Sequence, residues 1–319
     1  MLSTVTDPEA QRELSPADYV AEWKWDGIRV QAVNAQGTRR LFSRTGEDIS
    51  TAFPDVLAVL EFEGTLDGEL LIRRGADIAP FGDLQKRLGR KTVDKKLLAS
   101  HPAHIRAYDL LHWQGRDLRA LPFTARREAL ERAVASLDQP RLDLSPLLDF
   151  ATWDDLAHLR ANPPAAVIEG VMIKRRDSPY LAGRMKGPWL KRKLDPMVVD
   201  AVLLYAHRGH GKRSGFYSDF TFGVWDGDVL VPVGKAYFGF TDEELKSLDR
   251  FVRNNTTETF GPVRALNPTK VVEVAFEGLN RSPRHKSGVA MRFPRISRLR
   301  DDKPAAEADH LQTLRDMLP

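Results

Sequence analysis

Glu22-Trp23-Lys24-Trp25-Asp26-Gly27-Ile28-Arg29 sets a lysine two residues before an Asp-Gly turn and follows it with an arginine. Asp-Gly between apolar-rich segments is a hairpin signal. Residues 18–24 and 28–33 are therefore expected as strands flanking that turn, with 34–37 as the next hairpin loop. An amine held at such a turn, with a guanidinium close behind, suits attack on a nucleotide's α-phosphate. Four loosely specified positions recur by chance, so the run leaves two readings open: a nucleophile, or an exposed lysine on a hairpin.

The 319 residues suggest about two domains at ~100–200 residues each. There is no cysteine, which excludes disulfides, thiolate zinc sites and cysteine nucleophiles. The histidines are scattered and form no H-E-x-x-H pair. Net charge is only +4, but the basic residues concentrate in 86–96, 184–193, 207–213 and 281–303, a distribution that favours a polyanionic partner over evenly solvated faces. The opening residues lack the basic-then-apolar plan of a signal peptide. No apolar stretch nears the ~18–20 residues that span a bilayer. A soluble, cytoplasmic protein with no membrane partner is expected.

Strands dominate the first 195 residues, with 65–72, 105–111 and 166–174 joining those around the turn. Helical patterns occupy 81–90, 124–137 and 153–161, the last opened by Thr152 with Asp155 three residues on. Leu194-Asp195-Pro196 reads as a hinge, because proline disfavours helix at the preceding residue. Strands follow at 198–206, 219–225, 229–236 and 270–276. In the last, Val272, Val274 and Phe276 alternate with Glu273, Ala275 and Glu277, so one buried face is expected. A helix over 242–253, capped by Thr241 with Glu244, turns Leu245, Leu248 and Val252 inward. Five or so short strands with one inserted helix fit a small Greek-key barrel of the OB type. The expected domains are 1–195, 196–303 and a tail, 304–319, that is a terminal helix or partly disordered.

Four further clusters follow Lys24. Asp67-Gly68-Glu69-Leu70 ends in a carboxylate on a strand, suited to a ribose hydroxyl, and Tyr108-Asp109 sets an aromatic ring beside an acid, suited to a purine. Glu169 stands at the mouth of the apolar run to Lys174, where an unpaired carboxylate is costly and a Mg²⁺ ion would relieve it. Lys191 and Lys193 fall on one face of a strand and repel each other unless an anion lies between them.

Taken together, Lys24-x-Asp26-Gly27-x-Arg29, Ser43-Arg44-x-Gly46, Asp67-Gly68-Glu69, Tyr108-Asp109, Glu169-Gly170-Val171 and Lys191-x-Lys193 resemble the ordered motifs of the covalent nucleotidyltransferases. That superfamily holds the ATP-dependent DNA ligases, RNA ligases and mRNA capping enzymes. Phe81-x-x-Leu84-Gln85-x-Arg87 and the run from Arg292-Phe293-Pro294-Arg295 to Arg298-x-Arg300-x-Asp302-Lys303 are similar to DNA ligases in particular, those of bacteria. The resemblance implies an α+β chain: a mixed or antiparallel-sheet, ATP-grasp-like nucleotidyltransferase domain, then the OB-fold barrel.

Position by position, the resemblance implies that Lys24 takes AMP from ATP as a phosphoramide and passes it to the 5′-phosphate of a nick in double-stranded DNA. Glu22 would recognise the adenine amino group, Arg29 and Glu69 would hold the ribose, and Tyr108 would stack on the base. Glu169, with Glu69, would bind Mg²⁺ or Mn²⁺. Lys191 and Lys193 would contact the α-phosphate, and Arg44 the 5′-phosphate. Arg300 and Lys303 would orient the departing pyrophosphate as the barrel domain swings over the ATP site. Lys86, Arg87, Arg90 and Lys91 on one helix, with Lys212 and Arg213 in the 207–213 turn, are the candidate DNA phosphate contacts.

Many DNA ligases carry a helical DNA-binding domain ahead of the adenylation domain, whereas only about 20 residues precede Lys24. A natural minimal ligase, acting as a monomer in repair, and a core cut from a longer chain both fit. An RNA ligase or capping guanylyltransferase is the nearest alternative, against which the DNA-ligase segments speak. A non-catalytic module that holds single strands is a further one, against which the full motif set speaks.

Overall fold

Tyr19–Trp25 and Ile28–Ala35 flank Asp26-Gly27, yet the two strands belong to different sheets. The computed structural model describes residues 1–6, 8–209, 214–237 and 241–318. In it, Tyr19–Trp25 pairs with Leu147–Leu148 and Ile168–Arg175, and that sheet continues to Trp189–Lys193 and Thr4–Val5. Ile28–Ala35 pairs with Thr38–Ser43 and Gly64–Arg74, and its sheet continues to Ala103–Trp113 and Arg116–Asp117. The expected hairpin is thus a corner. Asp26 donates its N–H at 2.9 Å to the carbonyl of Val167, the residue just before the strand Ile168–Arg175 of the first sheet. Gly27 lies so close to the second that a Cβ there would sit 2.5 Å from the Leu70 carbonyl oxygen.

Strand alternation then sorts the side chains. From Ile28–Ala35 and Gly64–Arg74, Val30, Ala32, Leu66, Leu70 and Ile72 turn into a core with Phe53, Leu110 and Leu130. Arg29, Asp67 and Glu69 are left on the opposite face. From the other sheet, Ala21, Trp23, Val171 and Ile173 pack on Trp153 and Leu156. Glu22 and Lys24 are therefore left on its opposite face. The helix Trp153–Ala161 begins at the expected capping box of Thr152 and Asp155.

The expected helix over 81–90 is shorter, Phe81–Gln85. Arg87 does not share its surface: the side chain is completely buried. Its guanidinium donates to both oxygens of Asp55, at 2.5 and 2.9 Å, and to the Ala52 and His101 carbonyls. Arg87 is thus a structural tie and not a DNA contact. Lys86, Arg90 and Lys91 remain exposed beyond the helix end, Lys86 paired with Asp83 at 2.6 Å.

The chain divides into two units, Met1–Leu194 and Asp195–Pro319. In the second, the long strand Met197–Arg208 pairs with Tyr217–Asp226 along one edge; its other edge is shared between Val271–Phe276 and Val263–Leu266. This unit is the OB-fold. The helix Asp242–Asn255 has the expected Thr241/Glu244 box and buries Leu245, Leu248 and Val252. Strands Thr256–Phe260, Val263–Leu266, Gly278–Arg281, Val289–Arg292 and Arg295–Arg300 were not expected from the sequence. Val271–Phe276 buries Val271 and Ala275 as well as the expected face. Val271 is covered by Ala308 in the segment after Pro304, whose helix Leu311–Asp316 adds Leu311 and Leu314 to the core on the expected face. Among the described residues, no helix is long and apolar enough to cross a membrane.

Arg87→Ala strips Asp55 of its bidentate partner in the interior and is expected to cost about 3–5 kcal/mol. Lys86→Ala should stay within about 0.5 kcal/mol. Urea unfolding of the two variants checks this, and equal costs would mean the buried pair holds nothing together.

Candidate functional site

The faces left uncovered by the two cores enclose a cleft of about 410 Å³, within the usual range for small-molecule sites. Lys24, Glu22, Met172 and Lys174 come from the middle of the first sheet, and Trp189, Lys191 and Lys193 from its neighbouring strand. Arg29, Glu69 and Tyr108 come from the second sheet, and Arg44 and Arg184 from loops. Of the expected nucleotide-site residues, only Arg300 and Lys303 belong to the other unit.

Glu169 reaches Lys24 through a bulge. Pairing between Ile168–Arg175 and Tyr19–Trp25 shifts register between Ile168 and Gly170, and such an extra residue re-aims a side chain. The Lys24 amine donates to Glu169 Oε2. Burial works against the Glu169 carboxylate, but the charge and hydrogen bond of Lys24 outweigh it and hold the carboxyl below its ordinary value. Gly170 completes the bulge at φ 140°, where a Cβ would lie 2.1 Å from the Arg192 carbonyl oxygen. Only glycine lets the Lys191–Lys193 strand approach so closely.

Lys191 is half-buried, and its amine is pushed down by burial first and then by the charges of Lys24, Lys193, Arg184 and Arg44. Such a cluster of cations at one end of a cleft is an anion site. On the facing sheet, burial pushes the Glu69 carboxyl up to about 8, with Asp67 and Glu169 adding to the rise against the pull of Lys24 and Arg29. A carboxylate so strained as an anion fits a divalent cation. Among the described residues no cluster of three histidine or acidic side chains exists for a metal; with Glu69 and Glu169 as ligands, phosphate oxygens and water would have to complete the set.

At the other end, Glu22 is buried. Its carboxyl is pushed up by that burial, against Lys174 at 3.1 Å and Arg127 at 3.6 Å. Tyr108 lines the cleft, edge-on to Trp189 with ring centroids 6.2 Å apart. Lys174, fully buried, places its amine over both rings, 4.6 Å from the Tyr108 centroid and 4.5 Å from that of Trp189. Arg29 is committed to Asp67 by two hydrogen bonds, at 3.0 and 2.5 Å, and to the Tyr180 hydroxyl at 2.6 Å. Lys174, Arg184, Asp67 and Tyr180 had no role in the sequence reading. Of these, Lys174 alone carries a local signal: a lysine two residues after Met172, on the same face of an apolar strand.

In the second unit, Arg300 and Lys303 share one oxygen of Asp200, at 2.7 and 2.8 Å, and Arg300 also binds Asp302 at 2.9 Å. Arg44, Lys86 and Arg90 are exposed. Lys212 and Arg213 lie outside the described residues.

Two facing sheets around a lysine-centred cleft, followed by an OB-fold, define the nucleotidyltransferase class of fold. Family models agree: an ATP dependent DNA ligase domain matches residues 1–193 and an ATP dependent DNA ligase C terminal region matches 213–303. The chain belongs to the ATP-dependent DNA ligase family. It is 38% identical to a probable DNA ligase of Koribacter versatilis over 98% of its length, and 33% identical to a DNA ligase of Archaeoglobus fulgidus over 99%. It spans 58% of each of those proteins. Among solved structures, the ligase domain of M. tuberculosis LigD is 25% identical, with a TM-score of 0.52 over 97% of this chain and 96% of that one. A Lig E DNA ligase at 20% identity shares the fold, with a TM-score of 0.65 over 94% and 98%.

Because Glu69 titrates upward in the folded protein, its neutral form adds stability below the ordinary value of 4.5, and that contribution fades as pH rises through about 8. Glu69→Gln is therefore expected to raise the melting temperature of the nucleotide-free protein at pH 9 and to leave it nearly unchanged at pH 5. Scanning calorimetry at both values checks the sign.

Proposed function

We propose that this chain carries the catalytic activity of an ATP-dependent DNA ligase, sealing 3′-hydroxyl/5′-phosphate nicks in duplex DNA. The observation that supports it best is the position of Lys24, which meets Glu169 and lies near Lys191 in one cleft of nucleotide size. Lys24 Nζ attacks the α-phosphorus of ATP; a P–N bond forms, the bond to the β-phosphate oxygen breaks, and pyrophosphate leaves. The 5′-phosphate of the nick then attacks the same phosphorus and frees the amine, giving a DNA-adenylate. The 3′-hydroxyl attacks the 5′-phosphorus, the phosphodiester forms, and AMP departs.

The parts proposed for the residues are compatible with their surroundings. Glu22 accepts from the adenine amino group and Tyr108 offers its ring to the base. Glu69 and Arg29 face the ribose. Lys191 and Lys193 meet the charge that grows on the α-phosphate, which is most useful where donors are fixed in advance. Glu69 and Glu169 would hold Mg²⁺ or Mn²⁺, which when bound neutralises phosphate charge. Arg44 would take the 5′-phosphate, with Lys86 and Arg90 as outer contacts. Arg300 and Lys303 would exchange their carboxylates for the leaving pyrophosphate. A monomeric repair enzyme of the cytoplasm is the setting this chemistry suits.

Incubation with α-labelled ATP and Mg²⁺, then addition of a nicked duplex, tests the proposal. Label should appear on the protein, move to the DNA 5′-phosphate and be released as the strand is sealed. Lys24→Ala should stay folded and take no label; labelling at the wild-type level would remove Lys24 from the mechanism. Labelling by GTP in preference to ATP would instead favour a capping enzyme.

A further inference from the structure

The second unit carries a cluster of charge that the mechanism above does not use. Tyr217 opens the strand Tyr217–Asp226 and is buried. Three guanidinium groups converge on its ring: those of Arg208, Arg253 and Arg264, at 5.4, 5.8 and 5.9 Å from the centroid. They come from the end of Met197–Arg208, from the helix Asp242–Asn255 and from the strand Val263–Leu266. Arg208 and Arg253 are exposed and Arg264 is half-buried.

One carboxylate, Asp249, stands against the three arginines. Asp249 pairs with Arg253 at 2.7 Å and accepts the Tyr217 backbone N–H at 3.0 Å. Arg264 donates to the Gly261 and Val263 carbonyls. Among the described residues, Arg208 and Arg264 have no carboxylate at ion-pair distance. A ring face within ~6 Å attracts a cation, but like charges gathered on one ring repel, and an anion would relieve them. Planar guanidinium forks match phosphate oxygens two at a time.

We propose that Arg208, Arg253 and Arg264 form a grip for the phosphate backbone of nucleic acid on the OB-fold. This rests on the DNA-ligase reading and adds to it the residues by which the second unit holds its substrate. The Tyr217 ring fixes the forks in place, so that they meet consecutive phosphates without base preference.

The test uses the full chain with Arg208→Gln and Arg264→Gln combined, which keeps the Arg253–Asp249 pair. Affinity for a nicked duplex ending in a 3′-dideoxynucleotide is measured across a salt series, with labelling by ATP, which needs no DNA, as the folding control. The expected result is binding weaker by on the order of tenfold near physiological salt, and a log-log salt slope lower by about 2, with labelling unchanged. Unchanged affinity and slope would overturn the grip, as would loss of binding to poly-glutamate alone. Failure of the wild type to label with ATP would sink the ligase reading, separately from any result on the arginines.

Discussion

Everything in the first unit hangs on the passage of the chain through Asp26-Gly27 from one sheet to the other. Had these residues made a hairpin, Lys24 and Arg29 would lie on one sheet, and the lysine would face solvent or a core. As a corner, the turn sets them on two sheets that confront each other. The close approach to the Leu70 carbonyl, where the chain enters the second sheet, explains why position 27 has no side chain. Because alternate residues of a strand point to opposite faces, one apolar face per sheet is enough to leave Glu22, Lys24, Asp67 and Glu69 together on the others.

The cost of that arrangement is a concentration of charge away from water. It is met by pairing at the end that holds Glu22 and Arg29, and left unmet at Glu69 and Lys191. Glu22 has Lys174, and Arg29 has Asp67 and Tyr180. Elsewhere in the cleft, Glu69 is raised and Lys191 lowered, each by burial first. A carboxyl and an amine displaced toward their neutral forms in the same cavity mark a place that gains by taking in a cation and an anion together. A nucleotide with its metal supplies both.

Much of this was legible in the sequence where the signal is local. Both capping boxes, the helix burying Leu245, Leu248 and Val252, and the shared face of Lys191 and Lys193 follow from spacing alone. What was not legible depends on contacts between distant residues. Asp-Gly reads as a hairpin until the Leu70 carbonyl is known to approach it. Arg87 looked like surface charge because its partner, Asp55, is 32 residues away. Thr256–Phe260 has no apolar alternation and becomes a strand only by pairing with Val263–Leu266. The second buried face of Val271–Phe276 required knowing that the C-terminal segment folds back over it.

The long strand Met197–Arg208 has a consequence of its own. Three strands take their hydrogen bonds from it, so none of them can detach without exposing the strand that the others share. This shared strand ties the OB-fold together. The central amides from Val199 to Ala206 are therefore expected to be the slowest in the unit to exchange with solvent, and those of the edge strand Thr256–Phe260 among the fastest. That shared strand also sets the spacing of two surface arginines, since Arg208 ends it and Arg264 stands on a strand paired to it.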